Sequence, residues 1–561
     1  MPDTLATFLG EASGDVLVLV DPDAIDLVPP SGAEVVVLPA PELAGAAGAA
    51  GATRDLAVLV VRDRLALKPY AEGLEALGRA PVIAVWLAAG SPVLPRPDAS
   101  WQAVTGVRSR RLDDGGWLVV LRFDAPVLIA RALAEVARQA VPHRGGNEGL
   151  WVGDAPSPED ADVPVEVVLG GGAGPLQDHP VLGRPPVRLT EPDLSPRLDE
   201  RLLNPHGFRA DRCGPPAMLP PGAVLTESLA GQLREAATVS VSWPADPDRT
   251  VLRTVAGLAM SGVVLTSSDV PSWARDALGP AVADALTAQP ADDGLLAREE
   301  HGLVLRRAAF DAFSTRSWRR RAAARAGVRV AADPAVSVLL ATRRADMLDF
   351  ALSQVARQRG VPLELVLAPH GFEPDEADVR RALGDGVSLV LLPQPEEVAF
   401  GDVLHQAALA ASGDLLLKMD DDDWYAPDVV ADLVRAHRYS GAEVVGMPAE
   451  FHYLTGPDIT VTRGHVTEVF ARFVAGGTLM IERGLLREVG GFRSVHKYVD
   501  AQLLAAAAAA GASLYRTHGL GYVLRRNPTG HTWEVDLDYL LDPVRTKQRW
   551  DGFRPSRLME L

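Results

Sequence analysis

The sequence predicts an α/β protein of several domains, and three observations carry that prediction. The chain has 561 residues, which is too long for a single hydrophobic core. Apolar runs of strand length alternate with helical patterns along most of it, which is typical of sheets covered by helices. Hydrophobic residues make up 47% and charged residues 23%, so the domains have the material for buried cores.

Residues 1–140 have the pattern of a Rossmann-like α/β domain. We expect a parallel sheet followed by an amphipathic helix, with strands Val16–Val20, Glu34–Leu38, Leu56–Val61 and Pro81–Trp86 and helix Val127–Ala140. No Gly-x-Gly-x-x-Gly follows the first strand, so this segment lacks the usual fingerprint of a dinucleotide site.

The middle of the chain divides into two segments. Residues 141–225 are rich in proline and glycine and are predicted to be a linker region with short strands. Residues 226–330 return to α/β patterning, with predicted elements Thr238–Ser242, Arg249–Met260, Gly262–Thr266 and the basic helix Ser317–Arg325. A charged run of this kind is more often a solvated face or a domain contact than a ligand site.

Residues 335–555 show the most regular alternation, of strand, helix, strand, strand, helix and strand. This order predicts one compact α/β domain, with elements Val336–Ala341, Met347–Gln358, Leu363–Ala368, Val387–Leu392, Asp402–Ala411 and Leu415–Met419.

Four consecutive aspartates, Asp420–Asp423, follow the last of these strands. In an open α/β sheet, ligands bind beyond the carboxyl ends of the strands. Adjacent carboxylates repel one another, and a hard divalent cation would relieve that repulsion and could also hold a phosphate. The alternative interpretation is a solvated acidic turn.

Charge and cysteine content restrict the partners and the compartment. A net charge of -18 argues against nonspecific nucleic-acid binding and against holding an anionic membrane by charge alone, although peripheral membrane contact stays compatible with it. The single cysteine, Cys213, excludes a disulfide within the chain. No signal peptide or membrane span is recognisable, so we expect a cytoplasmic protein; its oligomeric state is not predicted.

The motifs of residues 335–555 resemble those of family 2 glycosyltransferases, which have the GT-A fold. They occur in the family's order: the first strand and turn Val336–Arg344, the acidic element Asp420–Asp423, the segment Gly476–Thr478, the turn Gly490–Phe492 with Asp500 after it, and His531–Trp533. The resemblance implies a GT-A-like domain that moves a sugar, with inversion, from a nucleotide-diphosphate donor to a hydroxyl of a glycan, glycolipid or small molecule. It also implies a role in cell-envelope polysaccharide synthesis.

Residues 226–330 show a more limited resemblance to the C-terminal half of GT-B-type glycosyltransferases. It rests on Arg253, on Ala259–Gly262 and on Phe313–Arg319. The acidic pair with which such domains hold a donor sugar is not recognisable, so we expect a degenerate, non-catalytic domain.

The family 2 resemblance assigns roles to individual residues. Asp420, Asp422 and His531 would bind Mn²⁺ or Mg²⁺, and an imidazole ligand favours Mn²⁺ somewhat. His531 could equally be a buried hydrogen-bonding histidine. Asp500 would be the general base that takes the proton of the acceptor hydroxyl. Its alternative role is to cap the N-terminus of a helix over Ala501–Ala510.

Further residues are expected around the two substrates. The donor side would include Thr342, Arg343, His370, Asp421, Asp423 and Arg526, and the acceptor side Trp424, Gly476, Gly477, Thr478 and Trp533. The second strand runs into Ala368–Phe372, where the family has an acidic loop that contacts the nucleotide base. The identity of the base is therefore not predicted.

Two other functions are compatible with parts of the sequence. A sugar-phosphate nucleotidyltransferase would also use carboxylates and a metal, but the turn Thr342–Arg344 lacks the glycines of its phosphate loop. A non-enzymatic carbohydrate-binding or scaffold protein fits the N-terminal half, where no catalytic set is readable. For the C-terminal half that reading would leave the acidic element, Asp500 and His531 unexplained.

Overall fold

The computed structural model describes residues 214–326 and 334–527 with single-residue gaps, most of residues 540–561, and shorter segments of residues 4–203. Helices and sheets alternate through these segments, which confirms the predicted α/β class.

The first sheet is mixed rather than purely parallel. It begins after helix α1 (Leu5–Glu11) and has the order β2-β1-β3-β4-β6-β5, with β1 Val16–Val20, β2 Glu34–Val37, β3 Leu56–Val61, β4 Arg79–Leu87, β5 Val104–Arg111 and β6 Trp117–Leu128. The four predicted strands pair in parallel, and β5 and β6 add an antiparallel edge. Strand β6 includes Val127, so the helix predicted to start there is wrong at its beginning; alternating burial at Leu121 and Phe123 marks a strand instead.

The middle of the chain contains two small parallel sheets and a group of helices. The sheets consist of β7 Leu150–Val152, β8 Val167–Leu169 and β9 Val187–Leu189, and of β10 Ala217–Met218, β11 Val239–Ser240 and β12 Leu265–Thr266. The helices are α2 Glu227–Arg234, α3 Arg249–Met260, α4 Ser272–Leu278, α5 Pro280–Thr287, α6 Leu295–Phe313 and α7 Thr315–Ala326. The basic helix, α7, contacts β8 and β9.

The C-terminal domain is built on an eight-stranded sheet. Its order is β15-β14-β13-β16-β22-β18-β23-β21, with β13 Val336–Thr342, β14 Leu363–Pro369, β15 Val387–Leu391, β16 Leu415–Met419, β18 Val444–Gly446, β21 Val469–Phe470, β22 Met480–Glu482 and β23 Leu514–Arg516. Strands β13 to β16 run parallel, and β22 pairs antiparallel with β16. A second sheet has the order β17-β24-β19-β20-β25, with β17 Trp424–Tyr425, β19 Phe451–Leu454, β20 Ile459–Thr462, β24 Tyr522–Arg526 and β25 Gln548–Asp551.

The helices of this domain include one that the sequence analysis missed. They are α8 Leu348–Ala356, α9 Glu376–Leu383, α10 Phe400–Ala410, α11 Val429–Ser440, α12 Arg483–Glu488 and α13 Val499–Ala509. Helix α9 connects β14 to β15, where two consecutive strands were predicted. Asp375 caps it by accepting a hydrogen bond from the Asp378 amide at 3.0 Å. Only Val379 and Leu383 of α9 are buried, so the segment has little apolar periodicity from which a helix could be predicted. A crossover connection is nevertheless required here, because β14 and β15 are parallel.

Helix α6 joins the middle of the chain to the C-terminal domain through buried charges. The Arg306 guanidinium donates to Glu468 at 2.6 Å, and both side chains are at least nine-tenths buried. Glu468 also accepts hydrogen bonds from the hydroxyls of Tyr439 at 2.7 Å and Tyr515 at 3.0 Å. Arg307 pairs with Asp428 at 3.0 Å. The C-terminal domain is therefore anchored to α6 by ion pairs that are largely buried.

Replacing Arg306 with methionine should lower the free energy of unfolding by about 3–5 kcal/mol, because Glu468 would be left buried without its cation. Urea unfolding of the full chain measures this loss. Arg275→Met, which removes an exposed pair with Asp284, is the control and should cost less than about 1 kcal/mol. Equal losses in the two variants would show that the α6 contact does not stabilise the protein.

Candidate active site

The four aspartates lie at the carboxyl edge of the parallel strands, as predicted. Strands β14, β13 and β16 are neighbours in the sheet, and His370, Thr342 and Asp420 lie in that order along its carboxyl edge. Three of the aspartates are buried, with exposed fractions of 6% for Asp421, 7% for Asp422 and 3% for Asp423. This burial excludes the solvated acidic turn.

Asp421 and Asp422 are held by the turn that follows β13. The Thr342 hydroxyl donates to Asp421, and the Arg344 guanidinium donates to both oxygens of the same carboxylate. A further nitrogen of Arg344 donates to Asp422 at 2.9 Å. These contacts raise the pKa of Arg344 although its partial burial opposes the charge. Arg344 was not among the predicted site residues.

Asp423 faces the opposite side, toward strand β24. It accepts a hydrogen bond from the Tyr522 hydroxyl at 2.5 Å and one from the Arg525 amide at 2.8 Å. Burial raises the pKa of Asp423, and the neighbouring charges of Asp422 and Asp420 act in the same direction. These hydrogen bonds hold one end of the acidic corner, as we call residues Asp420–Asp423, against strand β24.

Lys418 connects the acidic corner to the predicted base. Its ammonium is 2.5 Å from an oxygen of Asp420 and 3.4 Å from an oxygen of Asp500, and its side chain is only 4% exposed. Burial opposes this charge, but the two carboxylates outweigh it and raise the pKa of Lys418. Burial raises the pKa of Asp500 in turn, with Lys418 opposing that rise.

The glycine segment predicted on the acceptor side packs directly against these carboxylates. A Cβ added to Gly476 would lie 2.0 Å from an oxygen of Asp500, and one added to Gly477 would lie 2.9 Å from an oxygen of Asp420. A side chain at either position would clash with the neighbouring carboxylate. Thr478 is fully buried, and its hydroxyl exchanges hydrogen bonds with the backbone of Met447. Thr478 thus holds the turn in place.

Asp500 does not cap its helix. Helix α13 begins at Val499, its N-cap is Tyr498 in a left-handed conformation with φ of 62°, and Asp500 lies within the first turn. The capping alternative is therefore wrong, because the helix starts two residues earlier than the sequence pattern suggests. One carboxylate oxygen of Asp500 is buried and has no hydrogen-bond partner among the described residues.

Two of the predicted donor residues contact each other at the ends of β13 and β14. Arg343 donates to the Nδ1 atom of His370 at 2.9 Å and to the carbonyl of Glu396 at 2.8 Å. Burial, with the Arg343 charge adding to it, lowers the pKa of His370. Arg526 lies in β24; burial lowers the pKa of its guanidinium, and the charge of Asp422 opposes that change.

Trp424 belongs to an aromatic cluster with Phe350, Tyr453 and Phe553. The nearest of these rings is that of Phe553, whose centroid is 4.5 Å from that of Trp424. The Arg525 guanidinium lies 3.9 Å above the Trp424 ring. His531 and Trp533 lie outside the described residues, so their predicted roles stay predictions.

The donor set fits a hard divalent cation in residue type, since Asp420–Asp423 offer only carboxylate oxygens. Within the part of the chain that the structure describes, no three acidic, histidine or cysteine side chains are grouped so that they could hold an ion. Lys418 and Arg344 occupy the carboxylates instead. One buried oxygen of Asp500 has no hydrogen-bond partner among the described residues, so the neighbouring cations do not satisfy every carboxylate oxygen.

Comparison with known proteins gives a match for the same part of the chain. Residues 337–504 match the family model described as Glycosyl transferase family 2. The glucosyl-dolichyl phosphate glucuronosyltransferase of Haloferax volcanii is 28% identical over 175 residues, which are 28% of this chain and 55% of that protein. The chain thus spans about half the length of this curated relative. The predicted resemblance of the C-terminal part to family 2, and with it the glycosyltransferase class of that domain, is confirmed.

Solved structures also align with the chain at low identity. The mannosyltransferase PcManGT from Pyrobaculum calidifontis, in complex with GDP-Man and Mn²⁺, has a TM-score of 0.28 and 18% identity over 34% of this chain and 57% of its own. TarS residues 1–349 from S. aureus, in complex with UDP-GlcNAc, has a TM-score of 0.29 and 14% identity over 36% of this chain and 61% of its own. None of the described helices is long and apolar enough to span a membrane.

Proposed function

We propose that the domain matching glycosyl transferase family 2 moves a sugar from a nucleotide-diphosphate donor to an acceptor hydroxyl, with inversion at the anomeric carbon. The observation that carries this proposal is the placement of Asp500. Its carboxylate adjoins Gly476 and is joined through Lys418 to Asp420, so a base stands beside the corner where a diphosphate would bind.

In this reaction Asp500 takes the proton of the acceptor hydroxyl while the hydroxyl oxygen bonds to the anomeric carbon. The bond between that carbon and the donor phosphate oxygen breaks, and the nucleoside diphosphate leaves with the electron pair. Attack on the face opposite the leaving group inverts the anomeric centre. Glycine at position 476 permits this placement of the base, because a Cβ there would lie 2.0 Å from an oxygen of Asp500.

Asp420 and Asp422 are the carboxylates that would hold Mn²⁺ or Mg²⁺, and His531 is the further ligand that we propose. When bound, such an ion neutralises the charge that develops on the departing diphosphate. Asp421 and Asp423 would keep the two ligands in place, because each is already fixed by neighbouring donors.

Arg343 and Arg526 would contact the donor, because arginine suits the geometry of phosphate oxygens. His370 would take part through Arg343, since it is buried and both its ring nitrogens lie within hydrogen-bond distance of that guanidinium. For the acceptor, the Haloferax relative is named for glucosyl-dolichyl phosphate. We therefore propose a lipid-linked glycan as the first acceptor class to test, in line with a role in cell-envelope polysaccharide synthesis.

A screen of nucleotide sugars for donor hydrolysis tests this proposal without knowledge of the acceptor. We expect at least one UDP- or GDP-linked sugar to be hydrolysed in the presence of Mn²⁺, and EDTA to suppress that hydrolysis. Calorimetric titration with UDP and GDP supplies an independent readout. Absence of both hydrolysis and nucleotide binding would contradict the proposed function.

A further inference from the structure

We infer that Arg344 is an exchangeable cation, which neutralises Asp421 and Asp422 in the unloaded site and transfers to the donor diphosphate when a divalent ion binds the corner. This inference rests on the proposed function. It assigns to Arg344 a positioning role that the family resemblance did not imply.

The contacts of Arg344 satisfy the first half of this exchange. Three of its guanidinium nitrogens donate to the two carboxylates, so one side chain neutralises Asp421 and the proposed metal ligand Asp422. Its amide donates to the Thr342 hydroxyl at 3.0 Å, and that hydroxyl donates to Asp421. The backbone of Arg344 is therefore fixed while its guanidinium reaches across the turn.

Exposure distinguishes Arg344 from the other cation of the corner. Its side chain is 34% exposed, whereas Lys418 is 4% exposed and lies between two carboxylates. A side chain that is one-third exposed on a long flexible stem can exchange one anionic partner for another more readily than a buried one. A planar guanidinium binds carboxylate and phosphate oxygens with the same paired geometry, so the exchange preserves the type of contact.

The exchange predicts how metal and nucleotide affect each other's binding. An ion that binds alone to Asp420 and Asp422 must displace Arg344 from Asp422, which weakens the affinity for the ion. When a nucleoside diphosphate is also present, the displaced guanidinium gains a new anionic partner. Binding of the two ligands is then positively coupled, and by linkage each one strengthens the other by the same factor.

The test is Arg344→Met in the full chain, with Mn²⁺ binding measured by electron paramagnetic resonance of the free ion. Without nucleotide, we expect the variant to bind Mn²⁺ about 10-fold more tightly than the wild type, within the usual range of coupling between sites. The affinity for UDP or GDP alone should fall. The factor by which either nucleotide tightens Mn²⁺ binding should become smaller, because only direct contacts between metal and phosphate remain.

Arg380→Met is the matched control, since it removes the same charge from an exposed pair with Glu376 on helix α9. An Mn²⁺ affinity of Arg344→Met that is equal to or weaker than that of Arg380→Met would overturn the inference. Arg344→Lys, which keeps the charge but loses the paired donors, should be intermediate and serves if the methionine variant is unstable. Donor hydrolysis by the wild type tests the proposed function separately, because the Mn²⁺ measurement needs no turnover.

Discussion

Replacing Asp500 with asparagine should lower the rate of sugar transfer by about 10²–10⁴-fold, the usual contribution of a general base. Asparagine keeps the shape of the side chain beside Gly476 and removes its basicity. The acceptor hydroxyl would then have to lose its proton to water as it attacks. Donor binding should change little, because in the proposed mechanism the diphosphate is held by Asp420–Asp423 and the arginines rather than by Asp500.

The rate is measured with the nucleotide sugar that the donor screen identifies, and the Kd for its nucleotide by calorimetry. Asp385→Asn is the control: Asp385 lies exposed in the turn before β15, so the same substitution there should leave both quantities unchanged. A turnover of Asp500→Asn close to that of the wild type, with an intact fold, would show that another group takes the proton.

The parts of this site that follow from local pattern could be predicted from the sequence. The apolar run before the four aspartates forms β16, and the run before Thr342 forms β13. Each run is bounded by turn signals and is too short for a helix, so its hydrophobicity alone specifies a buried strand. Because parallel strands end at one edge, their polar ends meet there, which is why Thr342 contacts Asp421 and His370 lies at the end of the next strand.

The cations of the site could not be predicted in the same way. Lys418 interrupts an apolar strand, and a lysine in such a position is usually predicted to lie at the surface. Its partner Asp500 is far away in the sequence. Arg344 follows Arg343 in the same turn, and only the three-dimensional structure shows which of the two faces the aspartates. Pairing between distant charges depends on the packing of whole elements, which composition and periodicity do not contain.

The contact of helix α6 with the C-terminal domain shows the same limit. Arg306 and Glu468 are 162 residues apart, and neither belongs to a recognisable motif. The resemblance of residues 226–330 to a degenerate GT-B half concerned that segment alone. The buried pair shows that α6 also contacts the C-terminal domain. Arg306 of this helix binds Glu468, the same carboxylate that accepts hydrogen bonds from Tyr439 and Tyr515.

Replacing Lys418 with methionine should abolish most of the turnover and also destabilise the fold. Asp420 and Asp500 would lose the buried ammonium that lies between them. Breaking a buried ion pair costs about 3–5 kcal/mol, and we expect about 3 kcal/mol here because both carboxylates keep about a third of their exposure. Lys418→Arg, with the charge kept on a larger planar group, should be intermediate in stability.

The pH dependence of this loss identifies its cause. Burial already raises the pKa of Asp500, and Lys418 opposes that rise, so the variant should raise this pKa further. A carboxyl whose pKa is higher in the folded state contributes stability below its unfolded pKa and loses that contribution as the pH rises through its folded pKa. Urea unfolding should therefore show a small deficit near pH 4 that grows toward pH 7, whereas Lys547→Met, at an exposed lysine, should show none. A deficit that is the same at both pH values would mean that lost packing, rather than the unpaired carboxylates, destabilises the variant.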